Sequence, residues 1–77
     1  MNVNYFEKVG NQAEEIRSKY PVGTKVRLLH MEDPQAPPDG TEGVVEHVDD
    51  IGTIFCRWNN GSGLGLMEGI DRFEIMT

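Results

Sequence analysis

The hydrophobic pattern of this chain changes its period at Pro21. Before the proline, apolar residues recur three or four positions apart with polar residues between them, at Phe6, Val9, Ala13, Ile16 and Tyr20. This spacing places one apolar stripe along an amphipathic helix. With Asn4 as the N-cap and Pro21 closing the pattern, we predict a helix over residues 4–20.

After Pro21 the pattern alternates with a period of two, which is typical of β-strands. Five short segments follow it, namely "KVRLLH", "GVVEHV", "TIFCRW", "GLGLM" and "RFEIM". Turn sequences such as "DDIG", "NNG" and "EGID" separate them, and we expect "NNG" to supply positive φ angles. The alternation points a set of side chains inward: Val26, Leu28, Val45, Ile54, Cys56, Trp58, Leu64, Leu66, Phe73 and Ile75.

A chain of 77 residues buries such a set most efficiently by closing the sheet on itself. We therefore predict one mainly β domain over residues 1–77, with a small five-stranded barrel at 22–77 and one N-terminal amphipathic α-helix. The helical stripe is expected to dock outside the barrel near Leu29 and Phe55, where Gly63 and Gly65 leave room. The alternative is a dimer in which the stripe pairs with its copy; a monomer is favoured over that homodimer.

The segment "DPQAPPDGTEG" holds three prolines and two glycines and fits neither a helix nor a regular strand. Long connections without regular structure are uncommon in small domains, and many of them are functional. The prolines restrict the unfolded ensemble, so we expect the loop to be ordered. We further expect it to form part of a recognition surface.

The charge of the chain is acidic and unevenly distributed. The net charge is −6, and no Lys or Arg lies between Glu32 and Asp50. That stretch holds seven acids, at Glu32, Asp33, Asp39, Glu42, Glu46, Asp49 and Asp50. Because such a surface repels phosphate, we expect no direct binding of nucleic acid.

The location of the protein is predicted from what the sequence lacks. It has one cysteine, no apolar run long enough to span a bilayer, and no basic start leading into an apolar stretch. A lone cysteine fits a reducing compartment. We expect a cytoplasmic protein with no membrane partner.

Several segments carry a resemblance to a known family: "GTKVRL", "MEDPQAPPDGTEGVV", "VDDIGTI" and the spaced residues of "WNNGSGLGL" and "GIDRF". They resemble a family of short bacterial proteins described as domain of unknown function 4314. The resemblance implies an SH3-like barrel, with the proline-rich segment as its long first loop, and brings no catalytic residues. The chain is also similar, more weakly, to barrel modules of some eukaryotic ubiquitin ligases, which bind protein segments.

Metal and catalytic chemistry find little support in the sequence. The soft metal ligands His30, His47 and Cys56 lack the paired spacing of a structural zinc site. Cys56 shares strand parity with Ile54 and Trp58, so we expect it to be buried rather than nucleophilic. We predict no metal, no cofactor and no enzymatic activity.

The leading hypothesis is a protein-interaction adaptor or regulator. Its groove would be walled by the 31–40 loop, the 49–52 turn and the 59–61 turn. The candidate partner-binding residues are Met31, Asp33, Pro37, Pro38, Asp39, Asp49, Asp50, Asn60 and Met67. One alternative is a small-molecule or anion-binding protein that uses Arg27, Arg57 or Arg72. Another is an acidic inhibitor that mimics the charge of nucleic acid.

Overall fold

The computed structural model describes the backbone of residues 5–77 and the side chains of residues 12–77. The predicted N-cap Asn4 and the side chains of Phe6 and Val9 lie outside this description. Helix α1 runs over Tyr5–Lys19 and ends before Pro21, as the sequence predicts. Ala13 and Tyr20 are buried and Ile16 is half-buried, so the described part of the stripe faces the protein.

Five strands follow the helix: β1 Lys25–His30, β2 Glu42–Val48, β3 Ile54–Trp58, β4 Gly65–Leu66 and β5 Arg72–Ile75. They form a single sheet in the order β4-β3-β2-β1-β5, and every neighbouring pair is antiparallel. The predicted mainly β class, with five strands and one helix, is confirmed, and the arrangement is that of a small barrel-like fold.

Strand β4 is shorter than predicted because backbone groups before it bond to side chains. The amide of Leu64 donates to Ser62 Oγ over 3.2 Å, and the Leu64 carbonyl accepts from Trp58 Nε1 over 2.8 Å. These groups therefore do not join a strand ladder. The second bond also satisfies the indole N–H of a buried tryptophan.

The core contains most of the residues that strand alternation points inward. Its buried members are Tyr20, Val26, Leu28, Met31, Val45, Val48, Ile54, Cys56, Trp58 and Leu66, and Leu64 and Phe73 pack against them half-buried. The prediction for Ile75 is wrong, since that side chain is 48% exposed. Strand β5 is an edge strand, so one flank of Ile75 has no neighbouring strand to cover it.

A glycine allows Trp58 to lie against strand β2. A Cβ atom added at Gly43 would be 2.7 Å from Trp58 Cε3. Because real Cβ atoms do not approach so closely, a larger residue here would displace the tryptophan. Gly43 and Trp58 are cross-strand partners, so this contact fixes how β2 and β3 pack.

Both turns that flank β3 end on a left-handed glycine. The amide of Gly52 donates to the Asp49 carbonyl over 3.1 Å, and that of Gly61 donates to the Trp58 carbonyl over 2.9 Å. The φ angles are 88° and 87°, as expected for a tight turn followed by a glycine. In "NNG", therefore, only the glycine has a positive φ, and the prediction for the asparagines is wrong.

From residue 12 onward, the side chains of the helix do not dock on the outward face at Leu29 and Phe55 that the sequence predicted. Its last turns lie against the end of β2, where Arg17 Nε donates to the Val48 carbonyl over 3.1 Å. Ile16 faces Gly52 in the following turn. Phe55 instead stacks on His47, with ring centroids 4.7 Å apart. Docking at this end lets Tyr20 join the main core, which the outer face would not have allowed.

Candidate functional site

The segment 31–41, here called the first loop, joins β1 to β2 and is anchored in the core. Met31 is 8% exposed and belongs to the main core, and Ala36 packs against it. Pro37 is also buried. Three residues of the loop therefore hold it against the barrel by hydrophobic contact.

Hydrogen bonds complete the folding of the first loop. The Gly40 amide donates to the Leu28 carbonyl over 2.7 Å, and the Leu28 amide donates to the Thr41 carbonyl over 2.8 Å. Near the start of the loop, the Asp33 carboxylate accepts from the Gln35 amide over 2.7 Å. This last contact is a local turn made by an aspartate side chain. The loop is an ordered element with its ends tied to β1.

His30 lies between two carboxylates that come from opposite ends of the first loop. Its Nε2 is 2.9 Å from Glu32 Oε1, and its Nδ1 is 3.4 Å from Asp39 Oδ1. The hydrogen bond to Glu32, followed by that to Asp39, raises the pKa of His30. Arg72 is its register partner on β5. When protonated, His30 can donate to both carboxylates and join the two ends of the loop.

The exposed residues at this end form what we call the loop surface, defined by Glu32, Asp33, Pro38, Asp39 and Asn60. Asn60 faces the end of the loop across an open depression lined by Gly40, Thr41, Glu42, Asn59 and Asn60. Burial removes the predicted binding residues Met31 and Pro37 from any accessible surface. They support the surface from beneath.

The structure divides the predicted groove into two separate places. The 49–52 turn follows β2 and precedes β3, whereas the 59–61 turn follows β3. The two turns therefore lie at opposite ends of that strand. Asp49, Asp50 and Met67 belong to the end beside the helix, and the loop surface belongs to the other.

The two aspartates of the 49–52 turn have structural partners. The Asp49 carboxylate accepts from the amides of Ile51 over 3.1 Å and Thr53 over 2.8 Å. Asp50 forms an exposed ion pair with Arg17 at 3.1 Å. Asp49 shapes the turn, and Asp50 links it to the helix.

A groove lies between the helix and two turns, and we call it the helix-end groove. It has a volume of about 290 Å³ and is lined by Gln12, Glu15, Ile16, Ile51, Gly52, Met67 and Glu68. Residues 67–71 form the turn that joins β4 to β5. Over residues 12–77, the lining combines three apolar side chains with two acids and contains no Lys or Arg.

Glu68 fastens the 67–71 turn to the end of the helix. Its Oε2 accepts from Lys19 Nζ and from the Tyr20 hydroxyl, each over 2.6 Å. The hydrogen bond from Lys19, followed by that from Tyr20, lowers the pKa of Glu68. Burial, followed by the bond to Glu68, raises the pKa of Tyr20 to about 12. One wall of the groove is thus fixed.

The sequence analysis missed two exposed isoleucines at this end. Ile51 is 59% exposed and Ile70 is 72% exposed. Both lie in turns whose other residues are acids and glycines, within "DDIG" and "EGID". Since turn positions favour small polar residues and glycine, an isoleucine among them was a signal available in the sequence.

Cys56 and Arg27 show little reactive or anion-binding geometry. Cys56 is 1% exposed, and burial raises the pKa of its thiol to about 11. Arg27 lies between Glu42 at 3.6 Å and Glu74 at 3.1 Å. Within the described residues, no three His, Cys, Asp or Glu side chains are grouped to hold a metal ion.

Comparison with protein families gives one match. The family model described as Domain of unknown function (DUF4314) matches residues 10–76. The chain belongs to the DUF4314 family. The match includes the second half of α1 and both turns of the helix-end groove, so the helix is part of the DUF4314 domain.

Comparison of this DUF4314 chain with curated proteins and with solved structures finds no match. Over residues 5–77, no helix has the length and apolar character needed to cross a membrane.

Proposed function

We propose that this protein is a non-enzymatic binding module with an SH3-like barrel, whose loop surface recognises a basic segment of a partner protein. The observation that carries the proposal is the burial of Met31 and Pro37 beneath an exposed acidic loop. A connection between two strands needs only a few residues, whereas the first loop is longer and buries two of its own side chains.

Anchoring of the loop favours binding because it lowers the entropy that recognition would cost. Asp33 and Asp39 are held outward by a loop whose backbone is bonded at both ends. A preordered surface loses less conformational freedom when a partner docks. The acids Glu32, Asp33 and Asp39 attract Lys and Arg side chains, and Pro38 adds an apolar contact.

The two alternative functions have weaker support. An anion site at Arg27 would have to compete with Glu42 and Glu74, which already neutralise that guanidinium. Small-molecule sites are enclosed pockets as a rule, whereas the depression at the loop surface is open. An acidic inhibitor of a nucleic-acid enzyme remains compatible with the charge, but it would have no need for the exposed Pro38.

The setting of the function is part of the same proposal. A single buried cysteine suits the reducing cytoplasm, and we place the protein in the bacterial cytoplasm on that ground and on the family resemblance. It acts there as a monomeric adaptor or regulator, without a cofactor and without direct contact to nucleic acid or a membrane.

The proposal is tested by selecting peptides from a random display library on the immobilised protein. We expect the selected peptides to be enriched in Lys and Arg, and their binding to weaken as salt rises. The variant with Asp33→Asn and Asp39→Asn should lose most of this binding. Selection of peptides without basic enrichment, or no selection at all, would contradict the proposal.

A matched control uses acids outside the loop surface. The variant with Glu14→Gln and Glu46→Gln removes the same amount of charge from exposed positions on α1 and β2. It should bind the selected peptides almost as well as the original chain. Equal losses in the two double variants would show that only net charge matters, and the loop surface would then be abandoned.

A further inference from the structure

Two turns at the helix end expose large apolar side chains that the fold does not use. Ile51 and Ile70 are 59% and 72% exposed. The turn of Ile51 is formed by Asp49 and Gly52, and only the backbone amide of Ile51 takes part in it. In the other turn, the Ile70 amide donates to the Met67 carbonyl over 3.1 Å. Neither bond requires an isoleucine side chain.

One of these two exposed side chains also lines the concave helix-end groove. Ile51 lines it together with Ile16 and Met67, and Ile70 lies in the same turn as Met67. Met67 is itself 36% exposed. Large apolar side chains grouped on a surface are typical of interaction sites rather than of solvated turns.

The charges around the groove indicate what kind of segment would fit it. Among the residues whose side chains the structure describes, its lining contains Glu15 and Glu68 and no basic residue. The nearby cations Arg17 and Lys19 are paired with Asp50 and Glu68. Opposite charge at the rim of an apolar contact favours correct partners and excludes wrong ones.

We propose that the helix-end groove binds a segment of a partner protein that carries large apolar side chains flanked by Lys or Arg. The apolar side chains pack between Ile16, Ile51 and Met67, and the basic ones face Glu15, because Glu68 is already paired with Lys19. This site is separate from the loop surface and does not depend on the function proposed for it. The two surfaces differ because only the helix-end groove requires large apolar side chains in the partner segment.

Two display libraries separate this site from the loop surface. Both contain lysine at fixed positions; one varies the remaining positions among apolar residues, and the other among polar residues only. Selected peptides are then titrated into isotope-labelled protein while its backbone amide resonances are followed. Peptides from the apolar library should shift the amides of Ile51, Gly52, Met67 and Ile70, and those from the polar library should not.

Substitution of the exposed isoleucine that lines the groove gives the decisive measurement. Ile51→Asn places a residue that turns accept, so the fold should be retained. It should weaken binding of the apolar-library peptides roughly tenfold, because an isoleucine contact is lost. Val22→Asn is the matched control, since Val22 is 74% exposed and is not part of the groove lining. It should leave affinity unchanged.

Three outcomes would overturn the proposal. The first is that the apolar library yields no binder, or only peptides that shift the loop surface. The second is that Ile51→Asn binds the apolar-library peptides as well as the original chain. The third is a concentration-dependent dimer in sedimentation that Ile51→Asn converts to a monomer, which would assign the groove to a second copy of this chain.

Discussion

The two ends of strand β3 are built in opposite ways. At the first loop, apolar Met31 and Pro37 are buried beneath exposed acids. At the helix end, Ile51 and Ile70 are exposed, although aspartates shape the turns at both ends, as the bonds to Asp33 and Asp49 show. Apolar side chains are therefore covered at one end and left in contact with solvent at the other.

This difference changes how the acids of the chain should be interpreted. Asp49 accepts two backbone amide bonds and Asp50 pairs with Arg17, whereas Asp33 accepts one amide bond. More of the bonding capacity of the turn aspartates is therefore used within the protein at the helix end. Recognition by charge is expected at the loop surface, and recognition by apolar contact at the helix-end groove.

The largest expected effect contrasts the two methionines that the sequence analysis had placed together. Met31→Ala should lower the free energy of unfolding by about 2–4 kcal/mol, because it leaves a cavity beneath the first loop. Met67→Ala should lower it by less than about 1 kcal/mol, because Met67 is partly exposed. Urea denaturation followed by tryptophan fluorescence measures both. Equal losses would mean that the two ends are not built differently.

The positions of these methionines explain what the sequence could and could not predict. Strands and turns were predictable because alternation and turn residues are local information. The burial of Met31 was not, since its neighbours Glu32 and Asp33 are polar, and burial arises only when the loop folds back on the core. The division of the predicted groove was missed because it depends on which end of β3 each turn follows.

The docking of the helix was unpredictable for a related reason. Its stripe required an apolar surface, and strand alternation pointed to the outward face at Leu29 and Phe55. The choice is made by Tyr20, which packs on Phe73 with ring centroids 5.3 Å apart and donates to Glu68. Contacts between segments that lie far apart in the sequence do not produce a periodic pattern from which they could be predicted.

The second prediction tests the close packing of Trp58 on β3 against Gly43 on β2. Gly43→Ala should lower the free energy of unfolding by about 1–3 kcal/mol, because the new methyl group forces Trp58 to move. Gly63→Ala is the matched control, since a Cβ there meets nothing within 4 Å. The control should be neutral or slightly stabilising. Thermal unfolding of both variants decides the matter, and similar melting temperatures would contradict the close approach of Gly43 to Trp58.

The third prediction concerns the hydrogen bonds by which Glu68 joins the 67–71 turn to the end of the helix. The pKa of Glu68 is lowered in the folded state. Ionised Glu68 therefore contributes to the free energy of unfolding at pH values above its ordinary pKa. This contribution is lost as the pH falls through the pKa of the folded state. Glu68→Gln should lower the free energy of unfolding by roughly 0.2–1 kcal/mol at neutral pH, the range of exposed ion pairs. It should also reduce the loss of stability on acidification.

Glu46→Gln provides the comparison for that experiment. Glu46 is exposed on β2, so its replacement should leave most of the acid-dependent loss in place. Denaturation midpoints measured from neutral to acidic pH would show the contrast. An unchanged acid profile in Glu68→Gln would mean that Glu68 does not fasten the turn to the helix.

The smallest effect is expected at the loop end, where His30 joins the two ends of the loop. Its pKa is raised in the folded state by Glu32 and Asp39. The stabilisation is therefore fully present below the ordinary histidine pKa of 6.5, and it is lost as pH rises through the higher folded value. Exposure of all three side chains keeps the change in stability small.

His30→Gln and Asp39→Asn should each reduce this pH dependence between neutral and mildly acidic conditions. Asp33→Asn should not, because the Asp33 carboxylate bonds to the Gln35 amide rather than to His30. The imidazole proton resonances of the original chain, followed against pH, give the titration directly. An ordinary His30 titration would show that the carboxylates do not hold the imidazolium. The loop would then be held by its buried residues and its backbone hydrogen bonds, so Glu32 and Asp39 would be free to face a partner at every pH.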